Sequence, residues 1–176
     1  LGKHSYDILI SSNELDKLGS CIRRLDIGKC AVVVTNPFIK KLFGSKIKKA
    51  LISKGLDVRF EITPDSEKAK SEKECLRLLN SISKFDTSRK VFIAAFGGGV
   101  VGDLAGFTAS IYKRGTPYIQ VPTTLLSQVD SAIGGKTAID LNTGKNLIGA
   151  FYQPRLVFSD ISFLKTLPKK ELASGL

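Results

Sequence analysis

The stretch Phe96-Gly-Gly-Gly-Val-Val-Gly-Asp103 decides the reading of this chain. Gly97, Gly99 and Gly102 stand at the spacing G-x-G-x-x-G. Directly before them, Val91 to Phe96 is an apolar, β-rich run without charge, the mark of a central parallel strand. Directly after them, Asp103 to Tyr112 is small, apolar and helical in pattern. Glycines in such a turn let the backbone approach a pyrophosphate closely. The helix N-terminus adds free N–H groups and a partial positive charge. The competing reading is a plain tight turn, and the strand-to-helix context favours phosphate binding.

Two features depart from the standard dinucleotide fingerprint. The glycines follow the fourth strand-like block rather than the first. The acid expected about 20 residues on, to hold ribose hydroxyls, is missing, because that position falls in Tyr118-Ile-Gln-Val121. Asp103 follows the glycines at once. The rest of a nucleotide therefore has to be read by other loops. The strand ends Thr35-Asn36 and Thr63-Pro-Asp65 are candidates, since the carboxyl ends of strands in an open α/β sheet face one crevice. The hydroxyls of Pro122-Thr123-Thr124 either donate to phosphate or ribose, or cap a helix that begins near Leu125.

Outward from the glycines, strand and helix patterns alternate. Tyr6, Ile8 and Ile10 alternate with polar neighbours as in an edge strand. Leu15, Leu18, Ile22 and Leu25 carry helical spacing, and Ala31 to Val34 is a short buried strand closed by Thr35-Asn36-Pro37. Ile39, Leu42, Phe43, Ile47 and Leu51 predict a second helix with Gly55 at its stop. Val58, Phe60 and Ile62 alternate again, and Glu67 to about Ser83 reads as a third helix with Cys75, Leu79 and Ile82 on one face. Tyr118 to Val121 is a further strand ended by Pro122. The last third, rich in Gly, Asn and Thr, reads as hairpin-like strands and ordered loops, and Pro168 to Leu176 as the start of a helix. The fold class is α/β, a mostly parallel sheet flanked by helices, Rossmann-like.

Composition narrows the function. The 176 residues, 43% apolar, suffice for one domain with a substantial core. No apolar run approaches the roughly 20 residues that span a bilayer, and LGKHSYDILI lacks a signal-peptide pattern. Cys21, Cys30 and Cys75 show no metal-ligand spacing and read as reduced thiols of an intracellular, cytoplasmic protein. His4 is the single histidine, so this chain alone cannot build a histidine metal site. The net charge of +11 is spread over segments such as KLFGSKIKK and EKAKSEKE, which look like solvated helix faces. A field of that kind suits an anionic small molecule better than nucleic acid, and nothing points to a membrane.

Several separated motifs then carry a resemblance. AAFGGGVVGDLAGFTASIYKRG, PTTLLSQVDSAIGGKTAID and GKNLIGAFYQP, with TPDSEKAKS and the closing TLPKKELASGL, resemble 3-dehydroquinate synthase of the sugar-phosphate cyclase superfamily. The match runs in order from about Val32 to the last residue. It implies an NAD-binding α/β domain over 1–167. Residues 168–176 would be the start of the first helix of a metal-binding domain whose zinc or cobalt ligands lie outside this chain. The implied reaction converts 3-deoxy-D-arabino-heptulosonate 7-phosphate to 3-dehydroquinate. NAD takes and returns a hydride, phosphate leaves, and ring opening and an aldol step close the carbocycle. It also implies a cytoplasmic homodimer in the shikimate pathway, with neither nucleic acid nor membrane as partner, and a chain inactive alone. Another sugar-phosphate cyclase, or a metal-dependent alcohol or glycerol dehydrogenase, is the alternative.

The resemblance assigns residues one by one. Asn36, Asp65, Glu67, Lys68 and Lys70 match the adenosine side of NAD, with Ser66 where the family commonly has Gly. Gly98, Gly99, Val100, Val101, Gly102 and Asp103 match the pyrophosphate and ribose loop. Thr123, Thr124, Lys136, Lys145 and the run Phe163, Leu164, Lys165 and Thr166 match further cofactor contacts. Asp130, Lys136 and Asn146 match substrate-side catalytic positions, and Arg114 a residue reaching into the neighbouring subunit's site. Read by themselves, Lys136 and Lys145 lie in glycine-flanked loops, poised for an anion or simply solvated. Asp130 and Arg114 read equally as helix-end charges.

Overall fold

A computed structural model describes residues 5–86 and 90–176. His4 lies outside them. Six strands form one wholly parallel sheet: β1 (Asp7–Ser11), β2 (Cys30–Thr35), β3 (Asp57–Ile62), β4 (Val91–Gly97), β5 (Tyr118–Pro122) and β8 (Leu156–Asp160). Their order is β1-β8-β5-β4-β2-β3, with β1 at one edge as its alternation predicts. A separate antiparallel hairpin joins β6 (Lys136–Leu141) and β7 (Gly144–Phe151). The helices are α1 (Leu18–Leu25), α2 (Pro37–Ile52), α3 (Glu72–Phe85), α4 (Gly99–Ile111) and α5 (Lys169–Ala173).

The side-chain alternation of β2 shows why the sheet is covered on both faces. Ala31 and Val33 join Leu18, Ile22, Phe43 and Ile47 in the core beneath α1 and α2. Cys30, Val32 and Val34 join Leu78, Ile82, Leu104 and Ala105 beneath α3 and α4. A strand buried on both faces is mostly apolar, as β4 is throughout and β2 is up to Thr35. The chain leaves β2 outward to β3 and then returns to place β4 on the other side of β2. That reversal opens a crevice between the carboxyl ends of β2 and β4, the usual ligand position of an open parallel sheet.

Three expectations are corrected. The helix predicted from Glu67 is two elements: a 3-10 turn at Glu67–Ala69, then α3 from Glu72. Ser71 divides them, because its side chain accepts the N–H of Glu74 and caps α3. Helix α4 begins at Gly99 rather than Asp103, so most of the glycine motif is itself helical. Within the last third, Leu156–Asp160 is a fully buried strand of the main sheet, between β1 and β5. Its closing carboxylate, on Asp160, accepts the N–H groups of Asn13, Glu14 and Ser162 at 2.9 Å each. Burial pushes the Asp160 carboxyl up, yet these donors outweigh it and hold it below the ordinary range.

Candidate active site

Four strand ends meet in one crevice. Asn36 follows β2, Pro64 to Glu67 follow β3, Gly98 to Asp103 follow β4, and Thr123-Thr124 follow β5. Together with Thr166 to Pro168 near the C-terminus they enclose a cavity of about 780 Å³. Gly98 is the N-cap of α4, and no side chain caps that helix. Its first N–H groups therefore have no partner within the helix and face the cavity mouth. Side chains at Gly98 and Gly99 would fill this space. A Cβ on Gly98 would lie 3.1 Å from Thr124 Cγ2, and one on Gly99 3.1 Å from Ser131 Oγ.

The two threonines divide the roles that sequence left open. Thr124 acts as a cap: its hydroxyl accepts the N–H of Ser127 at 3.2 Å and pairs with the Ser127 hydroxyl. Thr123 is 2% exposed, and its Oγ1 has no partner among the described residues. An orphaned hydroxyl that lines a cavity beside a bare helix N-terminus is a donor waiting for an acceptor. From Leu125 the chain turns helically and widens into a π-helix over Ser127–Ser131, closed by the Ala132 N–H to the Ser127 carbonyl at 3.1 Å.

A second cavity of about 520 Å³ adjoins the first. Asp130, Lys136, Thr137, Asn146 and Phe151 line it. Asp103 and Ser131 line both cavities and form their common wall. The structure thus brings Asp130, Lys136 and Asn146 together at one opening and leaves Arg114 elsewhere. Arg114 sits in a turn where Lys113, Arg114 and Gly115 all have positive φ.

Beneath the common wall lies a buried cation. Lys70, 4% exposed, donates to Asp103 Oδ2 at 2.8 Å and to the side-chain oxygen of Asn146, with Asp140 at 3.9 Å. Burial pushes the Asp103 carboxyl up, and Lys70 pulls it part of the way back. Asp140, which sequence reasoning did not single out, grips two partners. Its N–H donates to the Lys70 carbonyl at 2.9 Å, and its Oδ1 accepts the Asn146 N–H at 2.8 Å. That second bond holds Asn146 at a φ of +56°, a left-handed conformation to which asparagine is well suited. The signal in the sequence is an acid opposite a Gly-Lys-Asn turn across a short hairpin.

Other predicted residues fall apart from the cavities. Lys145 pairs at the surface with Glu67 at 3.2 Å. The Phe163 ring packs between Phe43 and Phe96 in the core. Gly102 lies inside α4, where a Cβ would meet the Gln120 side chain at 2.9 Å. Lys68, Leu164 and Lys165 line neither cavity. Among the described residues no group of three or more His, Cys, Asp or Glu side chains is placed to hold a metal ion, and no helix is long and apolar enough to cross a membrane.

Comparison with known proteins adds an independent line. The family described as 3-dehydroquinate synthase N-terminal matches residues 60–174. A 3-dehydroquinate synthase of Pelobacter propionicus is 47% identical over 177 residues, covering 100% of this chain and 49% of that protein. One from Thermodesulfovibrio yellowstonii is 44% identical with the same coverage. The chain thus spans about half the length of these relatives. Among solved structures, 2-deoxy-scyllo-inosose synthase complexed with carbaglucose-6-phosphate, NAD+ and Co2+ superposes with a TM-score of 0.88 at 27% identity, covering 97% of this chain and 46% of that one. ValA, the 2-epi-5-epi-valiolone synthase of Streptomyces hygroscopicus with NAD+ and Zn2+ bound, gives 0.86 at 28%, covering 99% and 48%.

Proposed function

Since this chain belongs to the 3-dehydroquinate synthase family, we propose that it is the cofactor-binding half of such an enzyme. The whole protein would convert 3-deoxy-D-arabino-heptulosonate 7-phosphate to 3-dehydroquinate and phosphate in the cytoplasm, as a step of the shikimate pathway. The carrying observation is the uncapped glycine N-terminus of α4, opening at the sheet's switch point onto a cavity of about 780 Å³. The bare backbone at Gly98 and Gly99, the unpaired N–H groups and the orphaned Thr123 hydroxyl fit the diphosphate of NAD. When bound, NAD supplies a reversible acceptor for a substrate hydride.

The chain's own residues do the positioning. Asp65 and Glu67, in the loop after β3, accept from ribose hydroxyls. The Asn36 amide donates to Asp65 Oδ1 at 2.6 Å and sets its direction. Lys136, without an ion pair among the described residues, attracts the anionic sugar phosphate into the second cavity. Asp130 and Asn146 bond its hydroxyls there. Asp103, kept charged-competent by Lys70, stands between the two ligands. The residues present do not assemble a metal site, so no step through a metal is assigned to them; the metal of the whole enzyme is held outside this chain. Residues 1–167 form the NAD-binding unit, and 168–176 lead into the metal-binding one. Arg114, away from both cavities, acts in the site of a second subunit, so the whole enzyme is a homodimer.

Calorimetric titration of the chain with NAD tests the cofactor reading, and absence of binding overturns it. Assay of the whole protein with the heptulosonate phosphate tests the reaction. Turnover without accumulating NADH is expected. Net NADH from an alcohol or glycerol would show a dehydrogenase instead. Turnover only of sedoheptulose 7-phosphate or glucose 6-phosphate would show a different cyclase.

A further inference from the structure

Ser131 is the residue that neither the glycine motif nor the substrate-side motif draws into the site. It ends the π-helix Ser127–Ser131, lines both cavities, and touches the α4 N-terminus at Gly99. Its Oγ has no hydrogen-bond partner among the described residues and almost no contact with solvent. π-Turns inside helical segments are uncommon, and they recur at functional sites because they re-aim the side chains that follow them. An unpaired buried hydroxyl is costly, and a rotation about one side-chain torsion is enough to aim it at a new acceptor or donor. The missing Cβ of Gly99 is what leaves room for it.

This inference rests on the NAD reading and deepens it. Hydride transfer requires the nicotinamide ring to touch the substrate, so the ring belongs where the two cavities meet. Asp103 and Ser131 are the residues common to both linings. Asp65, tied to Asn36 at the end of β2, lines the larger cavity and not the second, and on that reading it lies beside the adenosine. We propose that Ser131 is a cofactor-binding residue whose hydroxyl bonds the nicotinamide-riboside half of NAD at the junction, and so fixes the ring toward the second cavity.

The test is titration of the chain and of Ser131→Ala with NAD and with ADP, which carries the adenosine and both phosphates but no nicotinamide riboside. Circular dichroism and thermal unfolding check that the variant folds. Ser131→Cys, similar in size and a poor hydrogen-bonding group, serves as a second variant. Loss of one neutral hydrogen bond predicts NAD binding weaker by about three- to tenfold in both variants, with ADP affinity unchanged. Unchanged NAD affinity overturns the proposal. An equal loss for NAD and ADP also overturns it, because the serine would then act on the shared part of the ligand or on the shape of the loop. Failure of the unaltered chain to bind NAD is a different result and falls on the cofactor reading itself.

Discussion

Helices α2 and α4 begin at neighbouring strand ends of one sheet, and they satisfy their first N–H groups in opposite ways. At α2 the Asn36 side chain accepts the Ile39 N–H at 2.8 Å, and Pro37 removes one donor altogether. At α4 the cap is Gly98, which has no side chain to offer. Helix α3, which starts from the loop after β3, is capped by Ser71 like α2. Among the three helices that follow β2, β3 and β4, the partial positive end is thus neutralised twice by the chain's own oxygens and left bare once, facing a cavity. The lesson is that the missing cap marks a candidate anion site only together with its place: α1 and α5 also start without a side-chain cap, on Lys17 and Pro168, but each follows a 3-10 turn and not a strand end.

Filling the bare terminus should have the largest effect. Gly99 does not have a positive φ, so Gly99→Val brings no left-handed strain and the fold should survive. Its side chain, however, would enter the space beside Ser131 that the diphosphate needs. NAD affinity should fall by more than about 100-fold, the loss of several charge-assisted bonds. Calorimetry on a variant with an unaltered far-ultraviolet spectrum checks this, and retained binding would remove the functional distinction between α4 and α2.

The next effect concerns the cation behind that terminus. Lys70→Met leaves Asp103 largely buried without its counter-charge, which should cost about 2–3 kcal/mol at neutral pH. The sign with pH follows from the raised Asp103 carboxyl. An acid whose folded pKa exceeds its unfolded value destabilises the fold above that folded value, where it must stay charged, and the penalty is relieved as pH falls through it. Lys70→Met raises it further, so the difference between variant and parent should shrink in acid. Denaturant titrations at neutral pH and near pH 4 measure it, and a difference that is constant with pH would show that Lys70 serves packing alone.

The two regions also differ in how far sequence discloses them. Strand β4, the glycines and α4 are contiguous, so one reading frame holds the whole unit, and the α/β class follows from its repetition. Lys70 is different. In EKAKSEKE it looks as solvated as Lys68, yet it is buried because Asp103 and Asn146, 33 and 76 residues away, come to it. Strand β8 escapes for a related reason: Leu156-Val-Phe158 is too short a run to announce itself, and its partners Asp7 to Ser11 lie at the other end of the chain. The π-turn that aims Ser131 depends on backbone bonding that no residue pattern prints. Local chemistry was legible, whereas charges and strands completed by distant partners were not.

Removing the cap of α2 should be a smaller change than either. Asn36→Ala deletes the bond to the Ile39 N–H and frees Asp65. Thermal unfolding should report about 1 kcal/mol lost, with NAD binding a few-fold weaker through the untethered Asp65. An unchanged affinity would place Asp65 outside the ribose site while leaving the capping argument intact.

The smallest and most discriminating change makes α4 resemble α2. Gly98 has φ −79° and ψ −171°, extended values that serine adopts freely. A Cβ there lies 3.1 Å from Thr124 Cγ2, so that methyl has to give by a few tenths of an ångström. The new hydroxyl would accept an N–H from the first turn and close the helix on itself. Stability of the free chain should then change by no more than about half a kcal/mol, since glycine is already a tolerable cap. Binding NAD would now require that internal bond to be given up, which lowers affinity by about three- to fivefold. Gly98→Ala adds the same Cβ without the hydroxyl, so a loss for serine beyond that for alanine measures competition for the N–H groups and not bulk. If affinity stays level while the cap forms, as judged by slowed hydrogen exchange of the first-turn amides, the diphosphate is held by other donors and the contrast between the two helices carries no function.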